Sequence, residues 1–246
     1  MSSAAKTGRA ELHDDDTLFS QPEGTHLGEC PLCFLPLPID PRKSIIYSCC
    51  CQRVCKGCVN AHIKSNLHDE EKLSRCPFCR EPAPDNDAES FSKLMERVKA
   101  NDPAALSLMG TNCYKEGDYD GAFEYMTRAA ELGDLTAHYR LGFMYYEGEG
   151  VEKDEEKAAY HYEKAAIGGH TDARCNLAAI ELRNGNIERS VKHLIIAANL
   201  GDEESMKVLW KHYSLGYITK EELDATLRTH QAAVDATKSE QREIGE

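Results

Sequence analysis

"LGFMYYEGEGVEKDEEKAAYHYEKAAIGG", residues 141–169, joins two helix-forming runs through a glycine-punctuated turn and closes on Ala165–Ala166 and a glycine pair. Its flanks return along the chain. NDPAALSLMG (101–110), GDLTAHYRLG (133–142), GHTDARCNLA (169–178) and GDEESMKVLW (201–210) align at successive offsets of 32, 36 and 32 residues. A period in the thirties marks stacked helix pairs, each burying its apolar face against the next. Ala105, Ala137, Ala173 and Ser205 share one small position, where helices can approach closely, and Met109, Leu141, Leu177 and Leu209 share one large position. Ala129–Ala130, Ala165–Ala166 and Ala197–Ala198 recur in the second helix of each pair. Gly133, Gly169 and Gly201 follow them and suit the left-handed end of a helix. The four extra residues of the second unit fall in YYEGEGVEKDEEKA, expected as a longer turn.

A different chemistry precedes the repeats. Nine of the eleven cysteines lie between Cys30 and Cys79, in three C-x-x-C pairs (Cys30–Cys33, Cys55–Cys58, Cys76–Cys79) and one triple, Cys49–Cys50–Cys51. Zinc takes four soft ligands in a tetrahedron, and a C-x-x-C turn offers two of them to one ion. Three pairs give six ligands, and two zinc ions need eight, so the triple is expected to supply the other two. Alternation along an extended strand favours Cys49 with Cys51. Two independent zinc ribbons, or a patch of reactive thiols, are the competing readings. His62 and His68 are further possible ligands. Cys113 and Cys175 sit in apolar helical patterns and are expected as small core residues.

Composition narrows the class. Of 246 residues, 41% are hydrophobic and 29% charged, ordinary for globular chains. No apolar run approaches the roughly 20 residues of a membrane span, and the first residues lack the apolar core of a secretory signal. A cytoplasmic or nuclear protein is therefore expected, in whose reducing compartment clustered cysteines are metal ligands or catalytic thiols. The formal charge of −13 argues against a nucleic-acid binder and towards protein partners. Five segments are predicted: a disordered acidic tail over 1–26, the zinc module over 27–83, a linker and lead-in helix over 84–100, helical repeats over 101–235 and a polar tail over 236–246. The lead-in helix carries Phe91, Leu94, Met95 and Val98 on its apolar face. Tyr114, Tyr145, Tyr146, Tyr160 and Tyr162 are expected to pack between helices.

The ligand order pair, close pair, pair, helix-sized gap, pair resembles the RING finger. That resemblance implies a small cross-braced α+β domain in which Cys30, Cys33, Cys55 and Cys58 hold one zinc while Cys76 and Cys79 join two of the triple around a second. Some all-cysteine members carry C-C-G-x-x-x-C, which would make Cys49 and Cys50 the ligands and place Cys51 at the glycine. CPFCREP puts Arg80 just after the last ligand, where the resemblance implies a linchpin between a ubiquitin-conjugating enzyme and its ubiquitin. Leu32, Phe34, Pro77 and Phe78 would form the shallow groove that grips that enzyme. The segment VNAHIKSN lacks the tryptophan many such ligases use. Leu141 through Gly169 resembles the Sel-one-like class of tetratricopeptide-related repeats, which implies an all-α solenoid that selects protein substrates. The whole resembles two-module RING-plus-repeat proteins of unicellular algae. The expected function is a zinc-dependent RING-type ubiquitin ligase, and the alternative is a non-catalytic zinc-binding interaction scaffold.

Overall fold

A computed structural model describes residues 13–239 and 242. Twelve α-helices and one two-stranded sheet are formed among them. After α1 (Asp15–Leu18), the cysteine-rich region holds a 3-10 turn, β1 (Ser44–Ile46), β2 (Arg53–Cys55), α2 (Lys56–Ser65) and α3 (Glu70–Leu73). The strands pair antiparallel, with Ile45 opposite Val54. Helix α2 carries Cys58 in its first turn and runs on into the gap before Cys76, which α3 also occupies. Among the described residues, no helix is long and apolar enough to cross a membrane.

The remaining helices are α4 (Asp87–Lys99), α5 (Pro103–Glu116), α6 (Tyr119–Glu131), α7 (Leu135–Glu147), α8 (Glu155–Ile167), α9 (Thr171–Arg183), α10 (Ile187–Asn199), α11 (Glu203–Ser214) and α12 (Lys220–Ala236). Their ends follow local chemistry. Asp102, Asp134 and Asp202 each accept a backbone N–H in the first turn of an odd-numbered helix, satisfying donors that the helix itself cannot. Gly133 takes φ 87° beyond α6 and donates to Ala130 O at 2.9 Å, a left-handed exit that costs a side-chain-bearing residue more. Gly169 and Gly201 do the same after α8 and α10.

Stacking follows the repeat. The shared small position is fully buried in all four units, at Ala105, Ala137, Ala173 and Ser205. Leu141, Leu177 and Leu209 of the large position are buried as well. One apolar cluster runs from α4 to α7, a second gathers α7, α8 and α9, and a third spans α9 to α12. Leu94 and Val98 seat the lead-in helix against the first cluster, whereas Phe91 is exposed and departs from its expected place on that face. Tyr162 is buried, with Tyr145 and Tyr146 packed on the same cluster.

The tail expected over 1–26 is replaced, from residue 13 on, by a strap laid across the repeats; residues 1–12 lie outside the described residues. Asp14 caps α1, and Leu18, 1% exposed, enters the cluster of α8 and α9. Phe19 packs against His193 with ring centroids 4.8 Å apart and planes inclined by 44°, and Asp15 pairs with Arg189 at 2.5 Å. Arg174, 0% exposed, donates to the carbonyls of Leu18 and Ser20. Two adjacent apolar residues suffice because the buried guanidinium satisfies the main chain around them. At the other end, the expected polar tail begins inside α12. Arg242 donates to Pro36 O at 2.8 Å, tying that end to the cysteine-rich region, while residues 240, 241 and 243–246 lie outside the described residues.

Candidate metal centres

Each centre is assembled from tight turns. Cys30 N donates to Leu35 O at 2.9 Å and Phe34 N returns to Cys30 O at 2.8 Å; Cys76 with Glu81 and Arg80 repeats the pattern at 2.8 and 3.0 Å. These exchanges leave the residue after the final cysteine in the left-handed region: Phe34 at φ 56°, Arg80 at φ 62°, and, after the triple's second member, Cys51 at φ 52°. Side-chain-bearing residues there cost on the order of 1 kcal/mol or more, which a bound ion can offset. Cys55 ends β2 and caps α2, accepting from Cys58 N at 3.4 Å.

Two groups of four thiols result. Cys30, Cys33, Cys55 and Cys58 form one, Cys49, Cys50, Cys76 and Cys79 the other, and within each group the sulfurs lie within 4.8 Å of one another. The pairs interleave along the chain, first with third and second with fourth. Sγ···Sγ separations are 3.9 Å for Cys30–Cys58, Cys33–Cys55 and Cys50–Cys76, and 3.5 Å for Cys49–Cys79. Sulfurs about 2.3 Å from a central zinc would stand about 3.8 Å apart in a tetrahedron, so the donor sets fit that ion. All eleven cysteines are free thiols.

Electrostatics point the same way. Burial raises the Cys30 thiol, but N–H groups of Cys55, Leu32 and Cys33 outweigh it and bring the thiol down to about 7. Burial pushes Cys50 up to about 12, and drives Cys49 and Cys58 upward too, with neighbouring sulfurs adding to the effect. One thiolate in each cluster opposes the next unless a cation balances them; a divalent ion supplies that charge and keeps all four ionised.

Cys51, expected among the candidate ligands, stands outside both groups. Its left-handed backbone breaks the strand alternation that would have aligned it with Cys49. Its side chain packs instead with Leu94 and Val98 of α4. Ser48 and Ser90 add a 3.0 Å hydrogen bond across the same junction. His62 Nε2 donates to Lys72 O at 3.1 Å and is not in either group. Cys113 is buried between helices, and Cys175 lies 3.2 Å from Ser205 Oγ. Arg242, absent from sequence reasoning, places Nη2 3.2 Å from Cys33 Sγ, and only its charge in a polar tail hinted at such a role. Phe34 is 72% exposed, Leu32, Phe78 and Arg80 are exposed, and Pro77 is half-buried.

A family model described as Sel1 repeat matches residues 103–134, 135–170 and 171–202. DAP3-binding cell death enhancer 1 of Mus musculus is 28% identical over 213 residues, taking in 70% of this chain and 40% of that protein. Its counterpart from Rattus norvegicus is 31% identical over 183 residues, with 58% and 36% covered. The chain thus spans less than half the length of these curated relatives. A solved Sel1 repeat protein from Oxalobacter formigenes is similar in fold, with a TM-score of 0.54 at 24% identity over 73% of this chain and 75% of that one. The boundaries of the three matches coincide with the helix pairs α5–α6, α7–α8 and α9–α10. Residues 103–202 are three consecutive Sel1 repeats.

Proposed function

We propose that this protein is an interaction scaffold in which a two-zinc thiolate module is fixed to a Sel1 solenoid that docks partner proteins. The observation that carries the reading is the run of three Sel1 repeats, extended by α11 and α12, with its small positions buried and its polar positions free to meet partners. The mouse relative is named for binding DAP3, a protein interaction that supports the same class of function. The zinc ions would hold the module's turns together, and Cys51 would clamp that module to α4. Photo-crosslinking from exposed repeat positions of the full chain tests this: discrete partners, identified by mass spectrometry, are expected, and cross-links only within the chain would overturn it.

A second reading, a RING-type ubiquitin ligase, is favoured by one arrangement. The interleaved thiol groups set Arg80 directly after the last ligand with its side chain exposed, and Leu32, Phe34 and Phe78 are exposed on the same type of turn. An arginine there can donate to a conjugating enzyme and its ubiquitin together, holding the thioester for attack without a nucleophile of its own. Discharge of ubiquitin from a panel of charged conjugating enzymes separates the two. Activity that falls with Arg80→Ala at unchanged zinc content supports the ligase; no discharge with any enzyme leaves the scaffold alone.

A further inference from the structure

The strap reveals what one groove of the solenoid accepts, and an equivalent groove lies one repeat earlier. Aligning Gly133 with Gly169 places His138 where Arg174 stands and Thr127 where Glu163 stands; aligning Gly169 with Gly201 places His161 with His193 and Lys157 with Arg189. In the later groove all of these meet the strap: Glu163 accepts from His13 N at 2.8 Å, Arg174 holds carbonyls, His193 receives Phe19, and Arg189 pairs with Asp15. The earlier groove, between α6, α7 and α8, encloses about 600 Å³ and is lined by Phe123, Tyr145, Tyr160, His138 and His161 among others. His138 and His161 face each other with Nδ1 atoms 3.0 Å apart.

Burial at the shared position isolates this groove. Leu106 is 0% and Met206 5% exposed, covered by neighbouring helices, and Arg174 is covered by the strap. His138 alone of the four is half-open. We propose that the groove between α6, α7 and α8 docks a short segment of a partner protein, an acidic residue followed by an aliphatic–aromatic pair, as Asp15, Leu18 and Phe19 occupy the next groove. The proposal rests on the scaffold reading and gives its partner a chemistry. Charge selects the occupant: Lys157, over the Tyr145 ring at the groove's edge and 3.3 Å from Asp154, takes the place of Arg189, itself shared with Glu181, and Lys164 is the cation among the lining residues, with Glu131 the one lining carboxylate. Residues 1–12 carry Lys6 and Arg9 against Glu11 and match these cations poorly.

A fluorescein-labelled peptide of residues 13–22, HDDDTLFSQP, titrated into the full chain and followed by anisotropy, tests the assignment. The chain's own strap is tethered at an effective concentration of about millimolar, so a dilute probe leaves it in place and reads the open groove. Saturable binding is expected, weakened about tenfold by Lys157→Glu and unchanged by Arg189→Glu. His161→Ser serves as a second groove variant and should weaken the probe as well. Absence of saturable binding, or sensitivity to Arg189→Glu in place of Lys157→Glu, overturns the proposal. So does a large gain in affinity on deleting residues 1–12, which would make the chain's own end the occupant, or a concentration-dependent dimer lost with Lys157→Glu, which would make it a second copy. If the peptide fails while partners still cross-link elsewhere on the repeats, the groove assignment falls and the scaffold stands.

Discussion

The ring of His26 lies flat on the ring of His170, centroids 3.8 Å apart and planes inclined by 10°. His170 occupies the position at which the other three units carry a capping aspartate, and it makes no side-chain cap bond. Tyr139 stacks on its other side at 4.4 Å. The third repeat therefore exchanges a helix cap for a ring stack that holds the end of the strap, with His26 N donating to Gly169 O at 3.2 Å. One substitution in the repeat pattern records where the strap crosses.

That exchange makes stability depend on pH. Burial holds His26 down to about 4, and His170 to about 2, with the neighbouring His26 and Arg140 adding to the shift; His193 is held to about 3 by burial and Arg174. Below an ordinary histidine pKa of about 6.5 the unfolded chain takes up protons that the folded chain refuses, so stability rises with pH there. The melting temperature should be level above pH 7 and fall steadily as pH drops from about 6.5 towards 4. Asp134 and Asp172, whose carboxyls burial raises from 3.8, act in the opposite sense, and comparison with His170→Asn cancels their share. The variant should melt with a shallower pH slope; an unchanged slope would mean His170 is not buried neutral.

Metal content separates the members of the triple. Two zinc ions per chain are expected by elemental analysis, one after Cys50→Ser, and two still after Cys51→Ser, whose sulfur faces α4. Chelation should unfold the thiolate module, since structural zinc contributes on the order of 10 kcal/mol to such domains, while most helical circular dichroism survives in the repeats. Loss of one ion from Cys51→Ser would reinstate it as a ligand.

The strap's worth can be measured at Leu18. Truncating a fully buried leucine costs about 2–5 kcal/mol when the site cannot collapse, and Leu18→Ala should fall at the lower end because the strap can lift away. Denaturant titration should show the midpoint moving down. A shift near zero would place the strap off the repeats in solution.

The repeats were legible because their signal is periodic: Ala105, Ala137, Ala173 and Ser205 recur in register, and every one is buried. The thiol pairs were legible from spacing alone. The triple divided the two readings: strand alternation, which presumes an extended backbone, fails because β1 already ends at Ile46, whereas the C-C-G-x-x-x-C resemblance named Cys49 and Cys50 and set Cys51, at φ 52°, in the place of the glycine. The strap was hidden by its composition. Asp14, Asp15 and Asp16 dilute Leu18 and Phe19, and their partners Arg174 and His193 lie more than a hundred residues away, beyond any local pattern. The aspartate missing at His170 was the one readable trace of it.

Close approach within a repeat gives the last test. A Cβ on Gly142 would lie 2.7 Å from Cδ1 and 2.8 Å from Cε1 of Tyr162, a ring that is itself buried and cannot swing aside. Alanine in a helix interior gains about 1 kcal/mol over glycine, whereas forcing a methyl into a packed contact costs about 1–3 kcal/mol. The clash should win, and Gly142→Ala should lower the denaturant midpoint by an amount worth about 1 kcal/mol. Gly110→Ala is the comparison: its Cβ would meet Cε and Cγ of Met126 at 3.0 Å and the Ala122 carbonyl oxygen at 3.2 Å, wider approaches than those at Gly142, and the flexible thioether can yield in part where an aromatic ring cannot. Gly110→Ala should therefore be the milder of the two. If the order reverses, with Gly142→Ala the more stable variant at an unchanged denaturant slope, Tyr162 is not wedged between α7 and α8, and the tight contact assigned to the second repeat is wrong.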